Sequence, residues 1–244
     1  MANRLLDRQA SLLDYLGSDD AVFGEERSAT ADPALAGIDD ELLKIEARFS
    51  YEKRMTKIQV LLPRTFELLG GELAAVLREF NNGCPPAGIS SFQNARRFRE
   101  YLSARWRSQP PPLPYLPDVA AYELACAAFR RDERRESPAA ADDDSAKGSI
   151  RRHPDALLLR CAYDVQPIFD PTIKNPAPAA RDTRLAIAMP PRSDRTLVVE
   201  LRPAVFDLLT LLDDFTDATE FGDAAGLEEL INELAALGLL EVHG

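Results

Sequence analysis

Histidine is nearly missing from this sequence of 244 residues: only His153 and His243 occur, and neither stands in a spacing such as H-x-x-x-H that sets two imidazoles on one helix face. Cysteine is scarce as well. Cys84, Cys126 and Cys161 are odd in number, far apart and without a C-x-x-C pair, which gives no basis for a disulfide framework or a zinc knuckle. Buried thiols in a reducing cytoplasm are the expectation. No apolar run approaches the roughly 18 residues of a membrane span. The opening MANRLLDRQASLLDYL sets Arg4, Asp7 and Arg8 among its apolar residues, so neither a span nor a signal peptide is expected there. Also lacking are a glycine-rich phosphate loop, a G-x-S-x-G elbow, an H-E-x-x-H pair and any clustered His/Asp set. The expectation is a chain that is not an enzyme by itself and supplies neither catalytic residues nor metal ligands.

What remains is apolar and charged. Hydrophobic residues make up 45% and charged residues 28%, the composition of an ordinary folded protein, and 18 prolines against 12 glycines imply stiff connections. The length suits two domains, since one typically holds roughly 100 to 150 residues. The net charge of -11 is unevenly placed. Residues 196 to 244 carry eleven acids and one base, Arg202, whereas the first 195 residues are nearly balanced, with 28 bases and 29 acids. The acidic end repels phosphate backbones.

Apolar residues recur at helical spacing through the first half. Leu5, Leu12, Leu13 and Leu16 are available for one face of a first helix. From Asp39, a good cap, Leu42, Ile45 and Phe49 and then Tyr51, Met55, Ile58 and Leu62 repeat at steps of three and four. Pro63 interrupts or restarts the helix, Gly70-Gly71 ends the next, Asn81-Asn82-Gly83 stops another, and Ser90-Ser91 caps one running to about Trp106. PPPLPYLPDVAAYELA follows. Its prolines predict an extended, polyproline-like path with a sharp helix start around Pro117 or Asp118. Residues 136 to 149 read as a linker between a helical domain, 1 to 135, and a second domain, 150 to 244.

In the second domain ALLLRCAYDV (156–165), RLAIAMPP (184–191) and TLVVELRP (196–203) are β-type runs, two of which should form a hairpin. AVFDLLTLLDDF and GLEELINELAALG are helices, and LLEVHG has the pattern of a short final strand. The predicted fold is α+β: an all-helical N-terminal domain, then a winged-helix-like module of three strands plus helices. Such an outline raises a DNA-binding alternative, a transcriptional regulator. Its second helix, however, brings three glutamates and no base to a polyanion. Strand addition is the other use of this module: a peptide pairs with the backbone of Leu197, Val198, Val199, Glu200 and Leu201, while Leu227, Leu230, Ile231 and Leu234 line a groove. The same leucines serve equally to close the core.

RFSYEKRMTKIQVLLPRTFELLGGELAAVLREF followed by PPLPYLPDVAAYELACAAFRR resembles the non-catalytic partner proteins of multinuclear non-heme iron-dependent oxidative enzymes. Those enzymes modify ribosomally made peptides, often at cysteine, as in methanobactin and thiaglutamate biosynthesis. The resemblance rests on Tyr51 to Arg54, Pro63 to Gly70 and Leu113 to Glu123, and covers about residues 40 to 135; GCPPAGISSFQ and the linker depart from the family's pattern. The C-terminal part separately resembles the winged-helix peptide-recognition domain of such pathways, and the two-domain layout is most similar to the thiaglutamate partner. The resemblance implies a cytoplasmic heterodimer in which the iron belongs to the other subunit and this chain has no cofactor of its own. It implies that this chain binds the leader of a precursor or carrier peptide and presents a cysteine. It also implies a partner interface at Leu113, Tyr115, Leu116, Pro117, Asp118 and Glu123, with Tyr115 and Leu116 as apolar anchors and Asp118 as helix cap; an internal brace joining the last helix to the bundle is the equal alternative for the same segment.

Overall fold

The computed structural model describes residues 2–24, 33–84, 90–129, 148–174, 176–191, 193, 195–221 and 226–243. Helices α1 (Ala2–Leu16), α2 (Asp19–Phe23), α3 (Asp40–Leu61), α4 (Pro63–Leu69), α5 (Leu73–Gly83), α6 (Ser91–Arg105) and α7 (Leu116–Phe129) come first. The strand-bearing part follows, so the fold is α+β with helices at the N-terminal end and strands at the C-terminal end.

The helix ends lie where the local chemistry puts them. Asp39 caps α3, its carboxylate accepting from the backbone N–H groups of Glu41 (2.9 Å) and Leu42 (3.2 Å). Pro63 opens α4, where its missing N–H costs nothing, and Gly70 (φ 51°) closes it. Ser90 and Gln93 form a reciprocal capping box at α6. The helices gather around aromatic rings: Phe98 lies 5.4 Å from Phe66 and 5.0 Å from Phe80, and all three are buried. Helix α3 turns Leu43, Ala47, Met55 and Ile58 inward. Leu42, Ile45 and Phe49, expected to share the core-facing series with Met55 and Ile58, point to solvent instead.

Strands β1 (Ser149–Arg152), β2 (Leu157–Tyr163), β3 (Ala180–Ala188) and β4 (Leu197–Glu200) precede helix α8 (Pro203–Leu211). Strand β5 (Thr216–Asp217), helix α9 (Leu227–Ala236) and strand β6 (Leu240–Val242) complete the order. The three expected strands are β2, β3 and β4, an antiparallel sheet in that order, and β3 and β4 are the expected hairpin. A second sheet, β5-β1-β6, was not anticipated. Strand β1 reads SIRR, too short and too polar to signal itself. It is held by its neighbours: Arg151 lies opposite Glu241, ion-pairs with it at 2.6 Å, and stacks its guanidinium 4.3 Å from the Phe215 ring centre. Between the sheets and helices, Ile150, Ala186, Ala188, Leu201, Leu209, Leu234 and Leu240 form one buried cluster.

Contacts divide the chain into two compact units, Met1–Ala120 and Ala121–Gly244. The division falls inside α7, upstream of the boundary expected from composition. The expected linker, 136 to 149, lies outside the described residues except for Gly148 and Ser149.

Candidate peptide-binding edge and partner-facing residues

Among the described residues, strand β4 pairs with β3 alone and forms one edge of its sheet. The register sets Leu197 opposite Ala188, Val198 opposite Ile187, Val199 opposite Ala186 and Glu200 opposite Leu185. Just beyond, the Leu201 N–H donates to the Arg184 carbonyl at 2.7 Å. Antiparallel pairs alternate, so Leu197, Val199 and Leu201 turn their backbone groups toward β3, while Val198 and Glu200 turn theirs outward. An extended segment added here would meet the N–H and C=O of those two residues.

Side chains alternate as well. Val199 shares a face with Ala186, and both join the buried cluster that takes Leu230, Ile231 and Leu234 from α9. Leu201 is only 9% exposed and Leu234 only 3%. Leu234 is therefore a core residue, correcting the expectation that it lines a groove, since a side chain closed inside its own domain has no area to offer a peptide. Leu201, expected to pair through its backbone, is also a core residue, and its N–H is already taken by Arg184. Leu197, Val198, Leu227, Leu230 and Ile231 are half-buried, and Glu200 is exposed. The C-terminal end of α9 is fixed close to the β3–β4 turn, because Gly238 comes so near that a Cβ there would sit 2.6 Å from the Met189 carbonyl oxygen.

Charge surrounds the edge in pairs. Arg181 on β3 bonds the Glu200 carboxylate and reaches Asp164 at 2.7 Å, and those hydrogen bonds raise its pKa above the usual arginine value. Arg160 bonds Asp182 at 2.7 Å, holding that carboxyl below the ordinary range. Arg184 reaches Asp207 on α8 at 3.1 Å.

The proline segment is less extended than expected. Leu113 to Leu116 form a turn, with the Leu116 N–H donating to the Leu113 carbonyl at 3.0 Å and Pro114 at the position that favours its fixed φ. Helix α7 starts at Leu116, one residue before Pro117, because burial of Leu116 outweighs the penalty against helical backbone ahead of a proline. Asp118 consequently lies within the first turn rather than capping it, where its charge suits the helix dipole. Leu116 is fully buried and Glu123 is 5% exposed, so both leave the expected partner surface. Leu113, Tyr115, Pro117 and Asp118 are half-buried.

Of the segments carrying the resemblance, Tyr51 to Arg54 turns its first and last residues into the helical domain. Tyr51 packs edge-on to Phe23 at 4.9 Å. Arg54 is buried, donates from Nε to Asn94 Oδ1 at 3.0 Å and lies 4.6 Å from the Phe80 ring centre; burial lowers its pKa. It ties α3 to α6 over α5.

No family model matches this chain, and no curated protein matches it. Among the described residues, no group of three or more His, Cys, Asp or Glu side chains is arranged to hold a metal ion, and no helix is long and apolar enough to cross a membrane.

Proposed function

We propose that this chain is the non-catalytic subunit of a heterodimeric iron-dependent oxidative enzyme that modifies a ribosomally made peptide, thiaglutamate biosynthesis being the type its layout most resembles. The observation that carries the reading is the outer edge of β4, where Val198 and Glu200 turn backbone donors and acceptors outward beside half-buried apolar side chains. Strand addition gives affinity through the main chain, and alternate side chains give selectivity. Leu197, Val198 and Val199 supply the edge, with Leu227, Leu230 and Ile231 shaping the adjoining surface. The leader segment's binding energy then holds a distant cysteine near the partner's iron, so catalysis here is positioning, and the metal chemistry is the other subunit's. Leu113, Tyr115 and Pro117, on a stiff turn that loses little entropy on docking, remain the surface offered to that subunit.

The test is co-expression with a candidate iron oxidase and its cysteine-containing precursor peptide, then affinity purification through this chain and metal analysis. Recovery of an iron-bearing heterodimer that retains the peptide is the expected result. A metal-free chain that retains neither overturns the reading. The DNA-binding alternative draws no support from eleven acids against one base over residues 196 to 244. Tight, specific retardation of a duplex at low salt would reinstate it.

A further inference from the structure

Helix α3 is apolar on two opposite sides. At 3.6 residues per turn, Leu43, Ala47, Met55 and Ile58 face the helical core, while Leu42, Ile45, Phe49, Thr56 and Val60 fall within about 60° of arc on the far side. That second stripe is in water: Leu42 is 63% exposed, Ile45 58%, Phe49 57% and Val60 65%. Leu42, Ile45 and Phe49 make a contiguous apolar patch on a charged helix, and such a patch marks an interaction surface.

The charges beside the row identify what covers it. Glu46 and Lys53 lie on one flank, Arg48 and Glu52 on the other, and all four are exposed. Two copies of α3 laid antiparallel, with a two-fold axis beside Phe49 and Ser50, set Glu46 against Lys53 on one flank and Arg48 against Glu52 on the other. Symmetry makes each pairing occur twice. The Phe49 rings meet at the centre, and Leu42 and Ile45 lie on Thr56 and the Lys53 stem of the opposite copy. A parallel two-fold pair would instead set the Glu46–Lys53 flank of one copy beside the Arg48–Glu52 flank of the other, so that neither reciprocal pairing forms. An unrelated partner does not require the helix to be complementary to itself.

We infer that α3 is a self-association surface through which two copies of this chain form an antiparallel, two-fold dimer. One helix pair buries less than the roughly 1,200 Å² of a standard stable interface, so the association is weak and concentration-dependent. The inference does not depend on the function proposed above.

Sedimentation equilibrium of the full chain alone tests it. The wild-type chain is expected to pass from monomer to dimer in the micromolar range. Phe49→Glu, at an exposed position where folding is untouched, should raise the dissociation constant by roughly 30-fold or more, as a central contact residue does. Glu46→Lys and Lys53→Glu should each weaken the dimer several-fold, and the two together should restore it. A wild-type chain that stays monomeric throughout overturns the inference. So does a dimer indifferent to Phe49→Glu, or a doubly reversed variant weaker than either single one.

Discussion

Gly238 and Tyr101 show how single residues are constrained by what lies around them. Gly238 has φ 74° and approaches the Met189 carbonyl too closely for a Cβ. Gly238→Ala is therefore expected to cost about 1–3 kcal/mol, read as a lower urea midpoint. Gly37→Ala, with φ 86° but open space around it, should cost only the backbone share. Tyr101 donates to Glu79 at 2.8 Å beside Arg105; burial first, and then this bond, push its pKa up to about 12 from 10.0. The folded state favours the protonated phenol, so this contribution is complete below pH 10.0 and is lost as the pH rises to about 12. Tyr101→Phe should flatten that alkaline loss of stability in urea titrations. Sequence spacing marks Gly238 as the end of its helix, but it signals neither contact, because each is set by an atom from a distant part of the chain: Met189 beside Gly238, Glu79 beside Tyr101.

At the scale of elements, β4 and the start of α7 can be tested by paired substitutions. Val198 turns its N–H outward and Val199 turns its N–H toward β3. Val199→Pro should thus destabilise the sheet by about 3 kcal/mol or more in thermal melts, as loss of a ladder bond in a regular element does, while Val198→Pro should cost far less. A Val198→Pro chain that stays folded but no longer retains the precursor peptide is the outcome expected from the proposed edge. Leu116→Ala should cost about 2–5 kcal/mol, the range for an aliphatic side chain removed from a core. Tyr115→Ala should leave the melting point nearly unchanged and weaken recovery of the iron enzyme; normal co-purification would end the docking role of this turn. Local chemistry made most elements legible: Asp39, Pro63 and Ser90 mark helix starts, and the β-branched run in TLVVE marks a strand. The pattern misled where two apolar series share one helix, since a period of 3.6 registers Leu42-Ile45-Phe49 and Met55-Ile58 alike and does not distinguish core from surface.

For the whole molecule, charge is the property that reaches beyond contacts. With eleven acids and one base over residues 196 to 244, association with a basic leader peptide should weaken as salt rises, measured by titration calorimetry at increasing ionic strength. Composition, charge placement and the change from helical to strand periodicity were fixed by residue order, and with them the α+β class, the β3–β4 hairpin and the acidic C-terminal end. These are local or additive properties. Tertiary structure alone decided that SIRR becomes a strand, that Leu116, Glu123, Leu201 and Leu234 are interior, that the contact boundary falls within α7, and that Leu42, Ile45 and Phe49 face water. Each depends on which distant segment covers a side chain or completes a ladder, and burial against a distant neighbour is not encoded in the spacing of residues along one element.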